Sequence, residues 1–378
     1  MIIAVNTRYF PGEDPDGRGD FIFECFSRLA STYPQHRFIY IFDRPFDKKL
    51  ITSKNIIPVV TGPKATTPLR WQYWYNYKVP AVLRKYDANV FVSMDGICSL
   101  RTKTPQCLLA HDPIFLQIPG FMAKSHLRFH KKFMPRFLEK AKSILTLSPS
   151  SKVAVIDAYK VDPAKIDVVY KSADTIFCPI GQQEKERTKS KYSGGKEYFL
   201  FSGPVRPASN LLNLLKAFSF FKKRQKSNMQ LVIAAGYGAD DAQFLNDLKN
   251  FKFKNEVALL GDLSKNELSK ITAAAYGFVY PVLIEDLSAP CLEAMQCEVP
   301  VITSSAAGQQ GIYGDAAIYV RPDNFRDIAE KMMTLFKDEK KRSELISKGK
   351  TWARQYDWHK TTDQLWKSVS LACKSETT

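Results

Sequence analysis

Histidine and paired cysteine are scarce in this chain of 378 residues, which has five His and seven Cys. No two cysteines form a Cys-x-x-Cys pair and the histidines make no cluster along the chain. That excludes a disulfide framework and a zinc site of the usual spacings. Long hydrophobic runs are also missing: no window approaches the roughly 18 apolar residues that a membrane-spanning helix needs. The opening Met1-Ile-Ile-Ala-Val-Asn6 is too short and too uncharged for a signal peptide and reads as a first strand. A reduced, cytoplasmic protein is the expectation. Acidic residues are the third shortage, 38 against 55 Lys and Arg, for a net charge of +17. The basic residues are spread along both halves and no zinc finger, helix-turn-helix or RNP-like string accompanies them, so nucleic acid is set aside as a partner.

What is present is an ordinary globular composition, 45% hydrophobic and 25% charged, in a length that fits about two domains. Strand-like runs at Ile2–Asn6, Phe38–Asp43, Asn89–Met94, Gln106–Asp112 and Ser143–Ser148 alternate with helical patterns, which predicts a parallel sheet. Among those helices, Phe21 to Tyr33 places Phe21, Ile22, Cys25, Phe26 and Leu29 on one face. A second series follows at Tyr198–Ser202, Gln230–Ala235, Glu256–Gly261, Gly277–Val282 and Pro300–Thr303. Between the series, Gly181 to Lys196 has the polar composition of a linker. The expected organisation is α/β, with a first domain over 1–180, a linker over 181–196, a second domain over 197–357 and a terminal helix over 358–378.

The densest basic block is Phe121 to Lys142, seven Lys or Arg against the single acid Glu139. Phe129, Phe133 and Phe137 recur at i, i+4, i+8, and so do Lys132, Arg136 and Lys140. Such a helix can lie against anionic lipid, or pack its aromatics into its own domain with its charges solvated. Pro135 should kink or split it. The dense run Trp71, Tyr73, Trp74, Tyr75 and Tyr77 reads either as acceptor-stacking aromatics or as core.

The most informative string is Tyr280-Pro-Val-Leu-Ile-Glu-Asp-Leu-Ser-Ala-Pro-Cys-Leu-Glu-Ala-Met295. A buried strand ends, Glu285 hangs in the following loop, Pro290 opens a helix, and Glu293 falls in its first turn. Both carboxylates would stand at the carboxyl edge of a parallel sheet, where open α/β folds bind ligands. A carboxylate accepts two hydrogen bonds from a vicinal diol, which suits a ribose. With the Pro300-Val-Ile strand and Gly314-Asp-Ala-Ala-Ile-Tyr-Val-Arg-Pro322, this string resembles the retaining, sugar-nucleotide-dependent glycosyltransferases of family four. The resemblance looks colinear over nearly the whole chain.

That resemblance implies two facing Rossmann-like domains, the GT-B fold, and transfer of a sugar from a nucleoside-diphosphate donor to a hydroxyl acceptor. The setting it implies is polysaccharide or lipid-linked glycan assembly, cytoplasmic or peripheral at the inner face of a membrane. No metal and no cofactor beyond the donor substrate are implied. Residue by residue, Glu285 would touch the donor sugar and Glu293 the ribose. His111 and Asp112, ending a strand, match the family's His-Asp near the donor sugar. Gly17 and Gly19, in Asp16-Gly-Arg-Gly-Asp20, match its Gly-x-Gly, whose amides approach a phosphate. Gly203, Pro207 and Asn210 match its phosphate loop, but Ala208 and Ser209 stand where that loop has Arg-Lys. Arg206, with Lys171 as an alternative, is the cation left to meet the diphosphate. Further departures (Tyr170-Lys-Ser172, Ser148-Pro149, Asp286-Leu-Ser288, Gly311) fall in the same pocket. They motivate a second hypothesis, a non-catalytic binder or partner subunit on the same fold.

Overall fold

The structure, a computed structural model, describes residues 1–10, 18–111, 113, 123–236, 242–261, 263–283, 289–305 and 313–373. The chain divides into two compact units, Met1–Lys171 with Trp358–Thr378, and Ser172–Asp357.

The first unit holds strands β1 (Ile2–Asn6), β2 (Arg37–Phe42), β3 (Ile56–Val60), β4 (Val90–Ser93), β5 (Gln106–Leu109), β6 (Ser143–Thr146) and β7 (Ile166–Val168). They form one parallel sheet in the order β3-β2-β1-β4-β5-β6-β7. The second unit holds β8 (Tyr198–Ser202), β9 (Gln230–Ala234), β10 (Val257–Leu260), β11 (Gly277–Tyr280), β12 (Val301–Ser304) and β13 (Ala317–Val320), parallel in the order β10-β9-β8-β11-β12-β13. Central strands such as β8, Tyr-Phe-Leu-Phe-Ser, are buried along their whole length. They therefore read as continuous apolar runs, because helices cover both faces of a parallel sheet. The three strands that the sequence pattern leaves unread, β3, β7 and β13, are all sheet edges, and each is partly exposed.

Helix Arg18–Thr32 buries Phe21, Ile22, Cys25, Phe26 and Leu29, the face its periodicity indicates. The terminal helix Trp358–Cys373 packs on that helix and on β4, β5 and β6. Trp366 stacks on Tyr33 at 4.0 Å, and Ser368 donates to Asp167 at 2.6 Å. None of the seven cysteines forms a disulfide.

Two expectations need correction. The stretch 181–196 is not a linker: Gln182–Ser193 is a helix inside the second unit, closed by Gly194 in the left-handed conformation. Its polar sequence is stabilised by ion pairs rather than by an apolar face. Lys189 meets Glu197 at 2.6 Å, Glu184 meets Lys270 at 2.7 Å and Lys191 meets Glu267 at 3.2 Å. The basic segment is likewise one helix, Lys124–Lys140, running through Pro135 rather than splitting there. Pro135 lies on the exposed side, where the carbonyl that its missing N–H would have bonded is open to solvent rather than sealed in the core. Phe129 and Phe137 are buried in the core of the unit and Phe133 is half-buried against it.

Candidate active site

In an open parallel sheet, ligands bind beyond the carboxyl ends of the strands, where the strand order reverses. In the second unit that point lies between β8 and β11. The chain turns out of β8 at Gly203, whose φ of +148° is one that side-chain-bearing residues avoid, and its N–H donates to the Ala234 carbonyl at 3.1 Å. Pro207–Ser209 then makes a 3-10 turn, with the Ser209 hydroxyl donating to the Pro204 carbonyl at 2.5 Å. Asn210, at φ +59°, leads into helix Leu211–Gln225. Its side-chain amide donates to the carbonyls of Pro281 at 2.8 Å and Pro322 at 2.6 Å, and its Oδ1 accepts from Asn213 at 3.0 Å. Leu283 N–H donates to the Ala208 carbonyl at 2.7 Å. The loops after β8, β11 and β13 are thus fastened to one another by hydrogen bonds that outlast any ligand.

From β11 the chain reaches helix Ala289–Gln296, with Pro290 in its first turn. Cys291, Leu292, Ala294 and Met295 are buried, while Glu293 is half-buried. Glu293 is the fifth residue of the helix, so it sits in the second turn rather than the first. The macrodipole, which acts over the first turn, contributes less to it than the sequence reading supposes. Burial, reinforced by Glu293, pushes the Cys297 thiol far up, so this cysteine is an inert core group.

In the first unit the reversal point lies between β1 and β4. There a buried polar network, unforeseen from sequence, joins the loops that follow the two strands. Arg8 pairs with Asp95 at 2.9 Å and donates to the Ala65 carbonyl at 2.5 Å. Tyr75 donates to Asp95 at 2.5 Å, Asn6 to the Tyr75 oxygen at 2.7 Å, and Ser93 to Asp95 at 3.0 Å. Burial alone would raise the Asp95 carboxyl, but Arg8 and the hydrogen bonds from Tyr75, Asn6 and Ser93 outweigh it and hold the group below its ordinary range. Gly96, next in the chain, lies directly against the His111 ring.

Three histidines gather here, although the sequence shows no cluster. His126 and His130 flank Trp71, with ring centroids at 4.8 and 6.1 Å, and His111 and His126 both bear on His130 electrostatically. Burial, helped by His111 and His126, pushes His130 down to about 4. Among the described residues no group of His, Cys, Asp and Glu has the arrangement to hold a metal ion.

The structure therefore sorts the residues named from sequence. His111 stands at the carboxyl edge of the first sheet, half-buried beyond β5. Arg206, the sole charged residue of 203–210, lies in the loop after β8, and Glu293 lies on the helix that follows β11. Asn210 gives its side-chain amide to the Pro281 and Pro322 carbonyls, and Gly203 gives its N–H to the Ala234 carbonyl. Ala208 and Ser209, where the resemblance has cations, are buried. Gly19 packs its backbone on the Tyr9 carbonyl with no space for a side chain. The Lys171 ammonium lies 6.0 Å over the Phe21 ring of the first unit. Glu285, Gly17 and Asp112 lie outside the described residues.

Residues 182–352 match the family described as Glycosyl transferases group 1. The chain is 28% identical over 308 residues to the O-antigen chain mannosyltransferase RfbU of Salmonella typhimurium, covering 79% of this chain and 80% of that protein. It is 26% identical over 255 residues to the O-antigen chain mannosyltransferase B of Escherichia coli, covering 67% of each. Among solved structures it superposes on Anabaena HepE, determined with UDP and glucose, with a TM-score of 0.75 at 16% identity, covering 98% of this chain and 99% of that one. Two parallel-sheet units of seven and six strands, and a segment of the second that matches that family, make this chain a glycosyltransferase of the GT-B fold that is similar over 182–352 to group 1.

Proposed function

We propose that this chain moves a hexosyl group, with mannosyl the first candidate, from a nucleoside-diphosphate sugar to a hydroxyl of a growing polysaccharide or lipid-linked glycan, with retention at the anomeric carbon. The bond from C1 to the diphosphate oxygen breaks and the electron pair leaves with the nucleoside diphosphate. The acceptor oxygen bonds to C1 on the same face and passes its proton to the departing diphosphate. The observation that carries the reading is the placement of Glu293 and Arg206 around the β8/β11 reversal point, within the segment that matches the transferase family. The relatives, named as mannosyltransferases, favour catalysis over a non-catalytic binder.

In this reading Glu293 accepts from the ribose hydroxyls, and Glu285 accepts from hydroxyls of the donor sugar. His111 and Asp112 meet the sugar at its reacting face. Arg206 and the amides of Gly17 and Gly19 meet the diphosphate, with Gly203 and Asn210 holding the loop in place. A guanidinium suits this role because its donors can grip two phosphate oxygens together. The chemistry asks for no metal. The basic edge of helix Lys124–Lys140 faces an anionic membrane that carries the acceptor, at its cytoplasmic face.

The test is turnover of GDP-mannose and UDP-hexoses with membrane extracts as acceptor source, read by mass spectrometry of the glycan. One donor supports transfer, and chelation with EDTA leaves the rate unchanged. Glu293→Gln weakens donor use about 10- to 100-fold, the effect of a lost charged hydrogen bond worth about 1.5–3 kcal/mol. Hydrolysis or transfer that ignores Glu293→Gln, or that collapses with EDTA, contradicts the assignment.

A further inference from the structure

The aromatic run at 71–77 divides sharply in the structure. Helix Pro68–Tyr73 continues through one π turn, Trp74–Lys78, into helix Val79–Lys85. Pro80 has no N–H to give the Asn76 carbonyl, and Val79 N–H bonds back to the Trp74 carbonyl, five residues away. Trp71, Trp74 and Tyr75 go into the core. Leu69, Tyr73 and Tyr77 face outward, 83%, 44% and 49% exposed. These three follow at i, i+4 and i+8, and the rings of Tyr73 and Tyr77 stack at 5.6 Å.

Cations frame this row. Lys78 lies 5.7 Å over Tyr73 and Arg101 lies 4.4 Å over Tyr77. Arg101 is held there because its neighbour Leu100 donates its N–H to Asn76 Oδ1 at 2.8 Å. Arg70 and Lys103 are exposed as well. Helix Lys124–Lys140 packs against this helix, Trp71 meeting Phe129 at 5.2 Å, and exposes Lys124, Arg128, Lys131 and Lys132.

We propose that the Leu69–Tyr73–Tyr77 row is the element by which this chain enters the headgroup region of an anionic lipid bilayer. The inference extends the membrane part of the functional reading and relocates its anchor. Helix Lys124–Lys140 turns Phe129 and Phe137 into the core, so it supplies charge and no inserting side chain. Exposed Leu beside Tyr, ringed by Lys and Arg, matches the interface between lipid and water. Tyrosine is amphipathic at headgroup depth, leucine enters the acyl boundary and cations meet lipid phosphates. A protein partner fits this composition less well, since lysine is depleted from protein–protein interfaces.

The experiment is flotation of the full chain with vesicles of phosphatidylcholine alone or mixed with phosphatidylglycerol. The wild type floats with the anionic vesicles only, less so at high salt. The triple variant Leu69→Ser, Tyr73→Ser, Tyr77→Ser keeps every cation and its melting temperature, yet binds at least about tenfold more weakly, about 1.4 kcal/mol. Equal binding by the triple variant overturns the proposal in favour of charge alone. It is also overturned if the wild type ignores both vesicles, or if sedimentation shows a self-associated chain that the triple variant dissociates. The thermal response to nucleotides, measured on both proteins, reads the donor site separately. Vesicle binding that follows the row without any nucleotide response supports the surface and sinks the transferase reading.

Discussion

His130 adds acid sensitivity through a single residue. Its imidazole is half-buried near His111 and His126, and burial pushes it down to about 4 from the usual value of about 6.5. The unfolded chain therefore binds a proton at this site, between those two values, that the folded chain does not. The contribution of this group to stability is fully present above about pH 6.5 and is lost as the pH falls toward about 4. Thermal melts of the wild type should drop through this window, and His130→Leu should flatten the profile there. An unchanged profile would mean that other groups set the acid limit. At this scale the sequence was legible where chemistry sits in a contiguous string. Glu293 could be named because Pro290-Cys-Leu-Glu-Ala-Met295 reads as the start of a helix between two apolar strand runs. The histidine cluster could not, since His111 comes from a strand end and His126 and His130 from a helix.

Central strands were the most legible elements. β8 and β11 lie inside the sheet and read as apolar runs; of the unread edge strands, β3 is interrupted by Pro58 and β7 by Asp167, while the edge strand β10 is legible. Helix Gln182–Ser193 escaped notice for the related reason that its partners are charges of the same unit. The joint between elements was the least readable of all. Arg8 and Asp95 stand 87 positions apart and clamp the loops after β1 and β4 together. Removing one member of a buried pair strands the other charge, and such losses run to about 3–5 kcal/mol. Asp95→Ala should lower the unfolding free energy by that much in urea titration. A loss within about 0.5 kcal/mol, the range of an ordinary surface change, would show that the network is dispensable.

For the whole molecule, two parallel-sheet units built on one plan follow from the alternation of strand and helix patterns along 378 residues. The charge of +17 is not a general wash over the surface in its consequences. In the first unit, exposed cations of helix Lys124–Lys140 lie beside a packed aromatic helix whose outer row is Leu69, Tyr73 and Tyr77. In the second, the loop 203–210 carries the single cation Arg206 beside the reversal point. Among the described residues no helix is long and apolar enough to cross a membrane. The departures from the family's phosphate loop were visible in the sequence. Their consequence was not, because a buried Ala208 and a loop-bonded Ser209 become evident only once the turn is built.

The central claim is a nucleotide-sugar site on the second unit with Glu293 at its ribose, and the melting temperature under nucleotide titration tests it most directly. A ligand that binds only the folded chain raises that temperature in proportion to the logarithm of its concentration once the site is saturated. The account predicts a rise with one of GDP, UDP or ADP and with its sugar conjugate, abolished in Glu293→Ala while the unliganded melt stays in place. No rise with any of them, or a rise that Glu293→Ala leaves intact, would contradict it.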